Sequence, residues 1–191
     1  MKFIILHGTT GTPDGNWFPW LKKELEKMGH NVLVPQLPTP EGQNPESWLK
    51  VIKKSVDKLG GTNNLVFVAH SMSPLSVCHF LEFINEEIKA CFFVSGFAGM
   101  PDNEIEPYST LNPPFINRKI DWGKVKKGCK NTYCFSGDND PYVPISIQKK
   151  FASKCGAREH IIIKDGGHLN SEFGYTKFPL LLEKIKKELG I

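Results

Sequence analysis

A serine hydroxyl becomes a useful nucleophile only when a histidine can take its proton and an acid fixes that histidine's tautomer. Three segments of this chain supply those residue types in the order Ser, Asp, His. The first is Asn64-Leu65-Val66-Phe67-Val68-Ala69-His70-Ser71-Met72-Ser73-Pro74, an apolar run that passes through His-Ser into a stretch opened by proline. A strand that turns sharply into a helix at a serine needs small residues two positions to either side, because the turn brings the two backbones together. Ala69 and Ser73 stand there, which makes the pattern A-x-S-x-S instead of G-x-S-x-G. Taken alone, the segment reads equally as a serine N-cap opening a helix.

The second segment, Phe135-Ser136-Gly137-Asp138-Asn139-Asp140-Pro141-Tyr142-Val143-Pro144, follows an apolar run with an acid-rich turn. The third, Ile161-Ile162-Ile163-Lys164-Asp165-Gly166-Gly167-His168, sets a histidine on a glycine-flanked loop after another such run. Ser, Asp, His is the chain order of one large class of hydrolases. Each group follows a strand-like run, so all three are expected at the carboxyl edge of a parallel sheet, where sites of open α/β folds collect. Asp138 and Asp140 both suit the acid, and either suits an Asx-turn that only shapes the loop. His168 also reads as a surface histidine. His70 adjoins Ser71, so its ring is expected to point elsewhere; His79 lies eight residues into the next helix, and His30 and His160 have no placement as a base.

An acyl-transfer site further needs two backbone N–H groups aimed at the developing oxyanion. One comes from the residue after the nucleophile, here Met72, and the other from a glycine-containing loop after an early strand. His7-Gly8-Thr9 supplies such a loop, with Thr9 as the second donor and His7 as a candidate for lining the site. The loop through Thr12 would also suit a phosphate, although neither G-K-[ST] nor G-x-G-x-x-G is present.

The elements that must position these residues alternate along the chain. Apolar, β-branched runs at 2–7, 32–37, 64–69, 90–95, 131–136 and 160–164 predict strands, separated by stretches of helical periodicity. Helices are expected at 17–28, from Asn44-Pro45 to Gly60, and at 74–85, 145–155 and 176–189. Alternating βα units make a parallel sheet with helices on both faces. Residues 97–120 hold four prolines and little periodicity, which predicts a lid or binding loop.

The bulk properties exclude several function classes. A 40% apolar, 23% charged chain of 191 residues is expected to form one domain over 1–191 with a proper core. No apolar run approaches the length of a membrane span, and the first strand turns polar too early for a secretory signal. Five scattered cysteines, never C-x-x-C, argue against disulfides and zinc; a reducing, cytoplasmic location is expected. The net charge is +4, but only Arg118 and Arg158 of the 24 basic residues are arginine. Lysines interleaved with acids are solvated helix faces, so nucleic-acid binding is not expected.

Across essentially its whole length the chain resembles the YdeN and retinoblastoma-binding-protein group of small α/β-hydrolases. The likeness rests on His7-Gly8, Asn16-Trp17-Phe18-Pro19-Trp20-Leu21, Pro35-x-Leu37-Pro38, Trp48, His70-Ser71, Val94-Ser95-Gly96-Phe97, Asp140-x-x-Val143-Pro144 and Gly167-His168. It implies an α/β-hydrolase sheet of six strands in the order 2-1-3-4-5-6, without a large cap domain. It implies a Ser71-Asp140-His168 triad, the acid being the one that precedes x-x-Val-Pro, and esterase-like action on small acyl esters without metal or cofactor. Ser73 departs from the glycine of close relatives, a change that would either narrow the turn or alter access to it. Trp17, Phe97 and Tyr142, aromatics near strand ends, are candidates for an acyl pocket, although core packing explains such residues more often. A relative that keeps the fold but binds a protein partner instead is the alternative reading.

Overall fold

The structure, a computed structural model, describes residues 1–100 and 105–191. Strands β1 (Lys2–Leu6), β2 (Asn31–Leu33), β3 (Leu65–His70), β4 (Ala90–Val94), β5 (Thr132–Gly137) and β6 (Glu159–Ile163) form one parallel sheet in the expected order 2-1-3-4-5-6. Strand β2 stops at Leu33, short of the predicted Leu37. Pro35 and Pro38 have no N–H to give a ladder, so the edge strand ends before them.

Helices α1 (Phe18–Lys27), α2 (Pro45–Lys58), α3 (Ser73–Leu81), α4 (Tyr108–Leu111), α5 (Pro113–Ile116), α6 (Trp122–Gly128), α7 (Ile145–Lys154) and α8 (Pro179–Leu189) link and cover the strands. Side chains alternate across the pleat, and each face of the sheet has its own core. Phe3, Ile5, Val66, Val68, Phe92 and Phe135 pack with α1 and α8 through Leu21, Leu25, Leu181 and Ile185. Ile4, Leu6, Phe67, Ala69, Cys91 and Phe93 pack on the opposite face with Trp48, Ile52, Val77 and Phe151. The predicted start of α2 is a reciprocal cap: Ser47 N donates to Asn44 Oδ1 at 2.8 Å, and Asn44 N donates to Ser47 Oγ at 3.3 Å.

The stretch from 97 to 120, expected as a lid or binding loop, carries two short helices that its composition does not announce. Residues 101–104 of it lie outside the described residues; beyond them come α4 and α5. Pro113 and Pro114 occupy the first turn of α5, where a missing N–H costs nothing. Phe115 is fully buried with its ring 4.8 Å from that of Trp48, and His79 Nε2 donates to the Phe115 carbonyl at 3.2 Å. That contact accounts for His79, far from any candidate base position. Helix α6 was also unpredicted. Two glycines and a single buried apolar side chain, Val125, blur its period, although the Asp121 N-cap, accepting from Gly123 N and Lys124 N, was readable.

Among the described residues no helix is long and apolar enough to cross a membrane. All five cysteines are buried and unpaired.

Candidate active site

Strand β3 reaches its end fully buried, and its ladder to β4 continues one residue further as Ser71 N donates to Val94 O at 2.9 Å. The chain must then reverse to begin α3. Ser71 makes the reversal at φ +64°, a left-handed conformation that costs a non-glycine residue about 1–3 kcal/mol. The surroundings hold it there. Ser73 Oγ accepts from His70 N at 3.0 Å, and its own hydrogen faces the carbonyls of His70 (2.9 Å) and Leu6 (3.0 Å). Of the two effects open to a serine here, the hydrogen bonds show neither: it ties β1 and β3 to the start of α3. On the opposite side a Cβ on Gly8 would lie 2.6 Å from Ser71 Cβ, so only glycine lets the β1 loop approach this closely.

Two further loops meet at the same edge. A Cβ on Gly137 would lie 2.1 Å from Gly167 O, so the turn after β5 and the loop after β6 touch through bare backbone. That contact carries Asp140 and His168 to Ser71. His168 Nδ1 lies 2.7 Å from Asp140 Oδ2, and His168 Nε2 lies 3.0 Å from Ser71 Oγ. Asp140, 8% exposed, receives Tyr142 N (2.9 Å) and Val143 N (3.1 Å) on Oδ1, and Gln148 Nε2 (2.9 Å) on Oδ2. Its carboxylate is held from four directions. With Nδ1–H donated to the acid, Nε2 presents a lone pair to the serine. Asp138 is spent elsewhere: its Oδ1 accepts from Asp165 N at 2.8 Å and shapes the loop.

His70 was expected to point away, and it does point below Ser71, yet it reaches the site from underneath. Its Nε2 donates to the His168 carbonyl at 2.9 Å, the Ser95 hydroxyl donates to the same carbonyl at 3.0 Å, and the two imidazoles meet edge to face at 4.9 Å. Burial, reinforced by the charge His168 can carry, pushes the His70 pKa down to about 3. A neutral His70 leaves room for positive charge on His168.

An unfolded chain protonates His70 near pH 6.5, the folded chain only near 3, so stability is complete above pH 6.5 and falls as acid is added. Each such histidine contributes a slope of about 1.4 kcal/mol per pH unit across that window. His7 and His79 are lowered by burial in the same direction. Urea unfolding at pH 4, 5, 6 and 7 should show a slope smaller by about one proton in His70→Asn than in wild type; equal slopes would assign the acid lability to other groups.

The remaining candidates divide. Phe97 and Tyr142 line a cavity of about 200 Å³ that opens over Ser71 and His168. Trp17 does not: it is fully buried beneath the site, its Nε1 donating to Leu169 O at 3.0 Å and its ring packed on Phe18 and His70. A large aromatic on an inward helix face gains more from the core than a pocket offers. His7 also lies behind the site. Leu37 N donates to its Nε2 at 3.0 Å, so Nδ1 carries the proton and donates to Gly8 O at 2.8 Å. His7 thereby clamps the glycine loop. Thr9 and Met72 both sit beside Ser71, and among the described residues neither backbone N–H has a protein acceptor. Thr10 N and Gly11 N are bound internally, to Thr39 Oγ1 and Gly8 O, which leaves a phosphate loop little to offer.

Sequence reasoning missed Gln148, Ser95, Asn112 and Tyr108. Gln148 sits on the first turn of α7 after Val143-Pro144, and nothing in its spacing marks it as a partner of Asp140. Tyr108 and Asn112 line the cavity from a segment without a readable period. Among the described residues, no three His, Cys, Asp or Glu side chains converge as a metal would require.

A parallel sheet in this order, with a left-handed serine between β3 and α3, defines an α/β-hydrolase fold. The chain belongs to the serine hydrolase family, whose profile matches residues 3–187. It is 27% identical over 184 residues to the YdeN protein of Bacillus subtilis strain 168, across 95% of this chain and 93% of YdeN. The crystal structure of the B. subtilis ydeN gene product is similar with a TM-score of 0.88 at 24% identity, over 100% of this chain and 99% of that one. Est1E from Butyrivibrio proteoclasticus, solved with ferulic acid bound, is similar with a TM-score of 0.75 at 18% identity, over 100% and 90%. At these identities the structural likenesses establish the fold.

Proposed function

We propose that this protein is a carboxylester hydrolase acting on small acyl esters through an acyl-enzyme. The reading is carried by one observation: the hydrogen-bonded chain Asp140–His168–Ser71 ends at a serine oxygen on the floor of a cavity. Polyneuridine aldehyde esterase and a carboxylesterase of Nitrososphaera gargenis, structurally similar proteins, are esterases by name, which supports this choice among hydrolytic reactions. Ser71 Oγ attacks the acyl carbonyl while His168 Nε2 takes its proton; Asp140 keeps Nδ1–H in place and stabilises the imidazolium. The amides of Thr9 and Met72 receive the oxyanion, and Met72 adds the positive end of α3. His168 returns the proton to the leaving alcohol, then activates water to release the acid. Five buried thiols without a disulfide support a cytoplasmic, reducing location.

A fluorophosphonate probe tests this directly. Wild type should be labelled on Ser71, and prior treatment with a p-nitrophenyl ester should compete. A chain that stays unlabelled while a control hydrolase reacts would leave a protein-binding role as the better reading.

A further inference from the structure

The cavity over Ser71 contains an oriented hydrogen-bond donor that the acyl-transfer steps do not use. Its direction is set by a relay of side chains, buried except for the half-buried Thr39 at its start. Thr10 N donates to Thr39 Oγ1 at 2.7 Å, so the Thr39 hydroxyl points its hydrogen at Gln43 Oε1, 2.6 Å away. Gln43 Nε2 in turn faces Leu111 O at 3.4 Å and donates to Thr9 Oγ1 at 2.9 Å. Thr9 has one hydrogen left, and it goes to Asn112 at 2.6 Å, which must therefore present Oδ1. Backbone groups anchor the relay, an N–H at its start and a carbonyl beside Gln43, so neither amide can be reversed without losing bonds.

Gln43, Thr9 and Asn112 are 9%, 8% and 6% exposed, and a relay this buried is polarised along its length. It ends at Asn112 Nδ2, which has no acceptor among the described residues, on a residue that lines the cavity. Thr9 is the residue proposed to bind the oxyanion, so Asn112 hangs from the same loop that meets the acyl carbonyl. The cavity's charge narrows the acceptor. Of its described lining residues only Glu172 carries fixed charge, and none of the chain's 24 lysines and arginines is there. An anionic acyl group would find no counter-charge.

Resting on the hydrolase reading above, we propose that Asn112 is a specificity-determining residue whose amide binds a neutral oxygen in the acyl chain, so that the preferred substrates are oxygen-bearing, uncharged acyl esters rather than plain alkanoates.

p-Nitrophenyl methoxyacetate and p-nitrophenyl butyrate have acyl groups of the same size and differ by one ether oxygen. The kcat/KM ratio of methoxyacetate to butyrate in wild type, divided by that ratio in Asn112→Ala, cancels the intrinsic reactivity of the esters. It should be about five to ten, the worth of one neutral hydrogen bond. Asn112→Asp, which keeps the acceptor for Thr9 but removes the donor, should also lose the preference. A double ratio near one in both variants, with both esters slowed alike, would make Asn112 structural and overturn the proposal. The side-chain NH₂ resonance of Asn112 gives a readout free of turnover. In Ser71→Ala it should shift with methyl methoxyacetate and not with methyl butyrate; a shift with neither, or with both equally, also overturns it. If wild type hydrolyses neither nitrophenyl ester, the hydrolase reading fails, and the resonance still decides the donor.

Discussion

Ser71→Ala should lower kcat for p-nitrophenyl esters by about 10⁴- to 10⁶-fold and leave the fold intact. The substitution removes one oxygen, whose hydrogen bond is to His168 Nε2 at 3.0 Å. Alanine meets the same backbone demand at φ +64°, so no new strain is introduced, and the Ser73 bonds that hold the turn are untouched. What survives is the contribution of the Thr9 and Met72 amides and of binding, which alone gives a modest acceleration over water. Steady-state kinetics beside a thermal melt decide the matter. A variant that keeps more than a tenth of wild-type turnover at an unchanged melting temperature would place the nucleophile elsewhere.

The second large effect separates two aspartates two residues apart. Asp140→Asn should cost about 10⁴-fold in kcat, whereas Asp138→Asn should cost less than about threefold. The asparagine at 140 has its orientation dictated by its neighbours. Tyr142 N and Val143 N both donate to the Oδ1 position, so the amide oxygen stays there and the NH₂ turns toward His168. Facing a donor, His168 must present a lone pair at Nδ1 and carry its proton on Nε2. It can then no longer accept one from Ser71. At position 138 the oxygen only accepts from Asp165 N, and an asparagine oxygen does the same. Parallel kinetics on the two variants, with circular dichroism to verify folding, test the assignment; the opposite ranking would give the acid role to Asp138.

Much of the scaffold could be read from the residues because its signals are local. Apolar β-branched runs, proline at first helical positions and the Asn44 cap depend on neighbours within a turn, and they placed all six strands and five helices. The sites of β2's end, α4, α5 and α6 escaped, since proline-rich or glycine-interrupted stretches lose periodicity while long-range burial of Phe115 and Val125 still orders them. The candidate site shows the same division. Ser71, the acid-rich turn and His168 were visible as residue types following strands in a hydrolase order. Residue type could not choose between Asp138 and Asp140 without the resemblance, because both are aspartates in one turn; the packing of Gly137 against Gly167 decides which carboxylate reaches His168. Nor could it show that Trp17 and His7 support the site from behind, that Ser73 fastens the turn, or that Asn112 hangs from Thr9 across 103 residues of chain. Spacing along a chain reports which elements form. Hydrogen-bond partners brought together from distant loops depend on how those elements pack, and that the tertiary structure alone decided.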